Sequence, residues 1–394
     1  MNIFTAKSMM KLCSLLFFVL SIFIVSDVSA QISTTTITVN TISSISNVAA
    51  SPVTVCTGGN VTLTVTGVLG TGAEWTWYTG SCGGTFIGTG ENITVNPTTG
   101  PSQTTITYYV ISVGGACAPS SCQSVNVTVN PTPIITPPAN ITYCYGTLTN
   151  SVPVTITPSG AQFDITGGTS IGLANTPAAT DIPTFIATNA TNAPLTATIT
   201  LTPSGGCPGS PVTFNITVLP EITMTNPADL TACNGATVPG TTFSGGPVGT
   251  IYNWVNDNIS TGLEASGTGN IAAFPGDNDD CINNISVIDV TPQLTVNSVT
   301  CPGTAQQMTI TIHPTPNGSI DGGTICEGQN AILTFTSSCD TGPFTLGVAA
   351  GGLTPVVSYP GVASGASFDV TPAPTATTVY NLMTITDANG CSNP

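Results

Sequence analysis

One six-residue segment, Thr35-Thr36-Ile37-Thr38-Val39-Asn40, constrains this chain more than any other because its pattern occurs four times. The alternation of hydroxyl and aliphatic side chains has the period of a half-buried strand. Later copies cover residues 125–130, 214–219 and 308–313. Aligned on their last residues, they place Ile37 and Val39 on Val127 and Val129, on Ile216 and Val218, and on Ile310 and Ile312. Each later copy runs into a proline seam: Asn130-Pro131, Leu219-Pro220, His313-Pro314. Beyond each seam a cysteine follows at a turn (Cys144, Cys233, Cys326), and Cys56 stands at the corresponding distance from Asn40. The copies therefore close repeats, which fall at 42–130, 131–219, 220–313 and 314–394, each the size of one immunoglobulin-like sandwich. Residues 31–41 read as the last strand of a domain with no body in front of it. The given sequence stops at Pro394, three residues after Cys391, where the fourth repeat should begin the same strand.

Within the repeats, short alternating stretches lie between clusters of Gly, Pro, Asn and Ser, and no helical period stands out. The predicted fold class is all-β: a tandem array of four immunoglobulin-like β-sandwich repeats, the last lacking its final strand. In the first repeat, strands are expected at 61–65, 74–78, 93–95, 106–113 and 125–129. Trp75 and Trp77 share one face of their strand, and Trp254 takes the corresponding place in the third repeat. These rings either fill the gap between sheets or offer a platform for sugars.

Residues 1–30 have the order of a cleavable export signal: Lys7 and Lys11, an apolar run over 12–25, then Val28-Ser29-Ala30 before Gln31. Neither that run nor any later stretch reaches spanning length, so a secreted chain with no membrane span is expected. Lys7 and Lys11 are the only Lys or Arg residues. Of the 18 Asp and Glu only Asp27 lies in the signal, so the processed chain carries 17 acidic groups and one histidine, His313. Without counter-charge for phosphate, nucleic-acid binding is excluded. Attraction to an anionic membrane surface is disfavoured for the same reason. Twelve of the 13 cysteines lie beyond the signal: Cys56, Cys82, Cys117, Cys122, Cys144, Cys207, Cys233, Cys281, Cys301, Cys326, Cys339 and Cys391. An even number in an exported chain, with no Cys-x-x-Cys, points to disulfides. Sandwich topology suggests Cys56–Cys82 and Cys117–Cys122. With three cysteines each in the third and fourth repeats, at least one bond should cross a repeat or subunit boundary.

Val55-Cys56-Thr57-Gly58-Gly59-Asn60-Val61-Thr62-Leu63, Trp77-Tyr78-Thr79-Gly80-Ser81-Cys82-Gly83-Gly84 and Thr107-Tyr108-Tyr109-Val110 resemble the PKD-like and immunoglobulin-like repeats of secreted Bacteroidetes surface proteins. Ile325-Cys326-Glu327-Gly328 and Thr386-Asp387-Ala388-Asn389-Gly390-Cys391 carry the same resemblance into the last repeat. It implies a β-sandwich array at the cell surface, of the adhesin or gliding-associated type.

Catalytic equipment is sparse. Gly168-Thr169-Ser170-Ile171-Gly172 fits a nucleophile-elbow spacing, but that chemistry needs a histidine, and His313 lies in a linker two repeats away. Asp340-Thr341-Gly342 resembles an aspartic-protease loop with no second copy to pair it. An enzyme is not expected. Asp277, Asn278, Asp279 and Asp280 form the densest acidic cluster, and crowded hard oxygens of that kind suit calcium. No other cofactor is implied.

The sequence thus points to a secreted structural subunit whose partner is itself. The 35–40 strand, through Thr35, Ile37 and Val39, would complete the fourth repeat of a neighbouring subunit beside Val379, Tyr380, Leu382 and Ile385. Four repeats of roughly 35–40 Å each would keep the segment from its own fourth repeat. Such a contact does not close by symmetry and yields a filament. The alternative is a cell-surface adhesin or glycan-binding rod, meeting surface glycans or other surface proteins, either as it stands or as a fragment of a longer surface protein.

Overall fold

The computed structural model describes residues 35–339, 342–351 and 356–393. The expected export signal at 1–30, Asp340, Thr341 and Pro394 lie outside the described residues. The described chain is all-β, with two single-turn 3-10 segments, Thr169–Ile171 and Ile259–Thr261. Its β-sandwich sheets follow one another in tandem. No helix among the described residues is long and apolar enough to cross a membrane.

The chain divides into two compact units. The first ends its initial segment at Val53 and adds Val61–Val95 and Ile106–Val127; the second holds Thr54–Asn60, Asn96–Thr105 and everything from Thr128 on. In the first unit, Val61–Val68 pairs antiparallel with both Ser44–Ser51 and Asn92–Val95. Ala73–Thr79 pairs antiparallel with Thr85–Thr89 and with the long strand Thr104–Gly114. The period-2 pattern places Val61, Leu63 and Val65 inside with Trp75, Trp77 and Val110, all buried.

The second unit contains three successive apolar cores. One gathers Phe163, Ile165, Ile199, Leu201, Ile216 and Val218. The next gathers Val238, Trp254, Ile288, Met308, Ile310 and Ile312. The last gathers Leu333, Phe335, Phe344, Leu346, Val348 and Ile385. At about 1.5–3 kcal/mol for each fully buried aliphatic or aromatic side chain, these cores are the main stabilising term in a chain with so few charges.

One arrangement recurs. A short lead strand that ends at or just before a cysteine runs parallel to the strand that closes the same sandwich: Thr54–Cys56 beside Gln123–Asn130, Ile141–Tyr143 beside Val212–Val218, and Leu230–Cys233 beside Gln306–His313. In each of these three sheets the closing strand lies between the lead strand and the long strand that precedes it, Thr104–Gly114, Leu195–Ser204 or Asn284–Val296. It is a central strand, buried on its inner face. Val127, Val129, Ile216, Val218, Ile310 and Ile312 are all fully buried.

The fourth sandwich departs from this. Its strand Tyr380–Thr386 pairs along its length with Phe344–Ala350. On the opposite edge it meets only Ser392–Asn393, through Ile385 and Thr386. The expectation that no strand follows the Asp387-Ala388-Asn389-Gly390 hairpin is therefore corrected, because the Asp387 carboxylate accepts from the Cys391 N–H at 2.7 Å and turns the chain into two residues of a closing strand. Among the described residues, nothing pairs with the rest of that edge, and the segment bearing Cys326 lies in no strand.

Candidate functional site

Four cysteines stand in one repeated turn. Gly58, Gly146, Gly235 and Gly328 follow Cys56, Cys144, Cys233 and Cys326 by two residues, and all have positive φ, between 73° and 85°. In each turn the cysteine carbonyl accepts from the N–H three residues on, at 2.9, 3.3, 3.0 and 3.1 Å. Glycine is required there because the left-handed conformation penalises a Cβ. Four other cysteines, Cys117, Cys207, Cys301 and Cys391, lie in the connections into the closing strands.

Three bonds join the two sets, and each skips from one sandwich to the next: Cys56–Cys207, Cys144–Cys301 and Cys233–Cys391. Their Cα separations are 5.5, 5.6 and 5.4 Å, inside the ordinary range. Cys281–Cys339 adds a second link between the third and fourth sandwiches, and Cys82–Cys122 lies within the first. The expected Cys56–Cys82 and Cys117–Cys122 pairs are not formed. The lead-strand cysteine sits at the seam, so its nearest partner belongs to the following sandwich. Cys326, exposed, and Cys117, partly exposed, are left as free thiols.

The region around Cys326 is open. A groove of about 400 Å³ runs between the Cys326 segment and Tyr380, lined by Thr324, Ile325, Leu333, Pro374 and Thr378. It meets the strand Tyr380–Thr386 at Tyr380. Of the residues expected to line an acceptor, Val379 is exposed, Tyr380 and Leu382 are half-buried and Ile385 is buried.

The 35–40 segment lies in no strand. Thr35 is exposed, and Ile37 and Val39 are 82% and 89% exposed although their six counterparts are fully buried. The Cys117 Sγ lies 3.6 Å from the Asn40 carbonyl oxygen, and Ser43 Oγ, buried, accepts from the Gly70 N–H at 2.9 Å.

The acidic cluster does not gather as expected for a cation. Asn278 is buried and its amide donates to the carbonyls of Ile282 and Ile312 while its Oδ1 accepts from the Asp280 N–H. Asn189 does the same in the preceding sandwich, donating to Ala193 and Val218 and accepting from Thr191. The amide thus ties a loop to the end of a closing strand. Asp277, Asp279 and Asp280 are left on its outside, and among the described residues no three Asp, Glu, His or Cys side chains stand together as a metal site. A carboxylate with a structural task is Asp229, whose Oδ1 accepts from the Thr309 N–H at 2.7 Å. That bond holds its pKa below the usual aspartate value. Asn140 makes the equivalent bond to the Asn215 N–H with a neutral amide.

The tryptophans are core, not platform. Trp75, Trp77 and Trp254 are all buried, and Trp77 Nε1 donates to the Gly90 carbonyl at 3.0 Å. Trp254 lies across Gly267 on the neighbouring strand, where an added Cβ would stand 2.2 Å from the ring. Gly267→Ala is therefore expected to destabilise the third sandwich by about 1–3 kcal/mol through overpacking. The readout is hydrogen exchange of residues 251–256, and unchanged protection there would show that the ring yields at no cost.

The nucleophile-elbow residues form the 3-10 turn Thr169–Ile171, and His313 Nδ1 lies 3.0 Å from Asn283 Oδ1. Among the described residues no catalytic domain is evident, and β-sandwich sheets in tandem, joined by several disulfides, point to an oxidising, extracellular compartment. Residues 44–131 match the family described as Ig-like domain, CHU_C associated. No curated protein matches the chain. Similar solved structures are tandem-domain proteins. The human desmocollin-1 ectodomain is 13% identical, over 89% of this chain and 76% of its own, with a TM-score of 0.25. Three domains of the bacteriophage RB49 Hoc protein are 14% identical, over 69% and 99%, at 0.34. The titin I-band fragment I67–I69 is 12% identical, over 66% and 95%, at 0.37.

Proposed function

We propose that this chain is the subunit of an extracellular filament, built head to tail by donation of the 35–40 strand to the fourth sandwich of a second copy. The four sandwiches are read as domains at 42–130, 131–219, 220–313 and 314–394. One observation carries the reading. Ile37 and Val39 repeat the pattern of closing-strand residues that are fully buried in three sandwiches, yet they are exposed, while among the described residues that edge of Tyr380–Thr386 is paired only by Ser392–Asn393 and a groove lies beside Tyr380. An edge of unpaired backbone beside apolar side chains is costly, and a strand with alternating Ile and Val satisfies both needs.

The test is deletion of residues 31–41. The deleted protein should remain monomeric, with low hydrogen-exchange protection in Tyr380–Thr386. A synthetic peptide spanning residues 31–41 should raise that protection without restoring polymers. Filaments formed equally well by the deleted protein would sink the proposal. The match of residues 44–131 to a surface-associated immunoglobulin-like family supports a second reading, a rod that meets other surface molecules. It is favoured if the intact protein stays monomeric.

A further inference from the structure

We infer that the two free cysteines form an inter-subunit disulfide, Cys326 of one copy to Cys117 of the next, so that the ladder within the chain continues across each junction. The inference rests on the strand-donation reading and adds a covalent bond to it.

The argument starts from the junction between the first and second sandwiches. Cys56 lies opposite Asn130 in the parallel pairing, and the Thr57 N–H donates to the Asn130 carbonyl at 2.9 Å. The Cys207 Sγ lies 3.7 Å from that same carbonyl oxygen, 77 residues along the chain, and is bonded to Cys56. At the start of the described chain half of this constellation is already present. The Cys117 Sγ lies 3.6 Å from the Asn40 carbonyl, again 77 residues apart. Among the described residues no parallel lead strand with a cysteine lies beside Asn40.

Cys326 supplies the missing half. It has the same Cys-x-Gly turn as Cys56, with Gly328 at φ 85° and the Cys326 carbonyl accepting from the Gln329 N–H at 3.1 Å. It also lines the groove into which the strand would go. Carrying over the register Thr54↔Thr128, Val55↔Val129, Cys56↔Asn130 puts Thr38 beside Thr324, Val39 beside Ile325 and Asn40 beside Cys326. Cys117 follows Asn40 into the junction, and the two thiols arrive with the geometry of the three existing bonds. Strand insertion thereby turns a bimolecular thiol encounter into a local one.

The chemistry is an ordinary thiol–disulfide exchange with a dithiol-oxidising disulfide, R–S–S–R, as the co-reactant. One cysteine thiolate attacks it, forming a mixed disulfide and releasing RS⁻, which takes up a proton. The second thiolate displaces the remaining RS⁻ and closes Cys326–Cys117. Two thiols are oxidised with loss of two electrons and two protons, and one R–S–S–R is reduced to two R–SH.

The experiment mixes light and heavy-isotope copies of the full processed chain in a glutathione redox buffer. After assembly, material is digested with pepsin at acid pH and disulfide-linked peptides are weighed. The expected product is a Cys117–Cys326 pair with mixed light and heavy halves, and an SDS-resistant ladder that collapses on reduction. Cys117→Ser and Cys326→Ser should each still assemble but dissociate fully to monomers in SDS. Filaments that lack the linked peptide, and dissociate in SDS as readily as the serine variants, would overturn the disulfide and leave strand donation standing. A linkage found only within one copy would overturn it as well. If the intact protein forms neither polymers nor the linkage, strand donation itself fails.

Discussion

Changing Ile37 and Val39 together to aspartate is expected to abolish assembly at any practical protein concentration. Each aliphatic side chain contributes about 1.5–3 kcal/mol on burial. Placing a carboxylate in the same position adds a desolvation cost of several kcal/mol more. A combined loss of about 5 kcal/mol already weakens association by more than a thousandfold, since each 1.4 kcal/mol is tenfold. Thr36→Asn is the control, because the corresponding positions in two closing strands are Asn126, exposed, and Asn215, partly exposed. It should assemble normally. The quantity to measure is the protein concentration at which polymer first sediments. Should the double aspartate variant polymerise at the wild-type concentration, the segment is not the inserted strand.

The second large effect is inside the first sandwich. Trp77 is fully buried, and its indole N–H is bonded to the Gly90 carbonyl. Trp77→Ala should cost about 3–5 kcal/mol, the sum of lost burial and the cavity left behind. Trp77→Phe keeps most of the ring but strands the carbonyl, at about 1–3 kcal/mol. Because a multi-sandwich chain does not unfold in one step, global melting is a poor readout. Hydrogen exchange of Val61–Val68 and Ala73–Thr79 is the appropriate one. Protection unchanged in the alanine variant would mean that the ring is not a packing element.

The repeat and its closing strand could be read from sequence because both rest on local period. Ile216 and Val218, or Ile310 and Ile312, announce a buried strand wherever they fall. Disulfide pairing could not be read the same way. Whether Cys56 meets Cys82 or Cys207 depends on which turns abut at the seam, and no local pattern encodes that. The spacing did hold one usable signal. Each lead-strand cysteine precedes a hairpin cysteine of the following repeat by about 150–160 residues. The acidic loop shows a different limit. Composition shows oxygens crowded together, but not that the Asn278 amide turns inward to close the loop and leaves the carboxylates apart. In the fourth sandwich, the expectation that no strand follows the turn missed the two residues Ser392–Asn393. A hairpin fixed by Asp387 carries pairing past the turn before any long alternating pattern begins.

The ladder also determines how the chain responds to a pull. Between Cys56 and Cys391 the polypeptide runs through most of four sandwiches, a contour on the order of 1,100 Å if every fold were drawn straight. The bonds offer tension a shortcut: across Cys56–Cys207, along the 26 residues to Cys233, and across Cys233–Cys391. Only that stretch, about 90 Å fully extended, can lengthen before covalent bonds take the force. Sandwiches outside the direct path could melt without paying out slack, so this stretch of the molecule behaves as a tether of nearly fixed length.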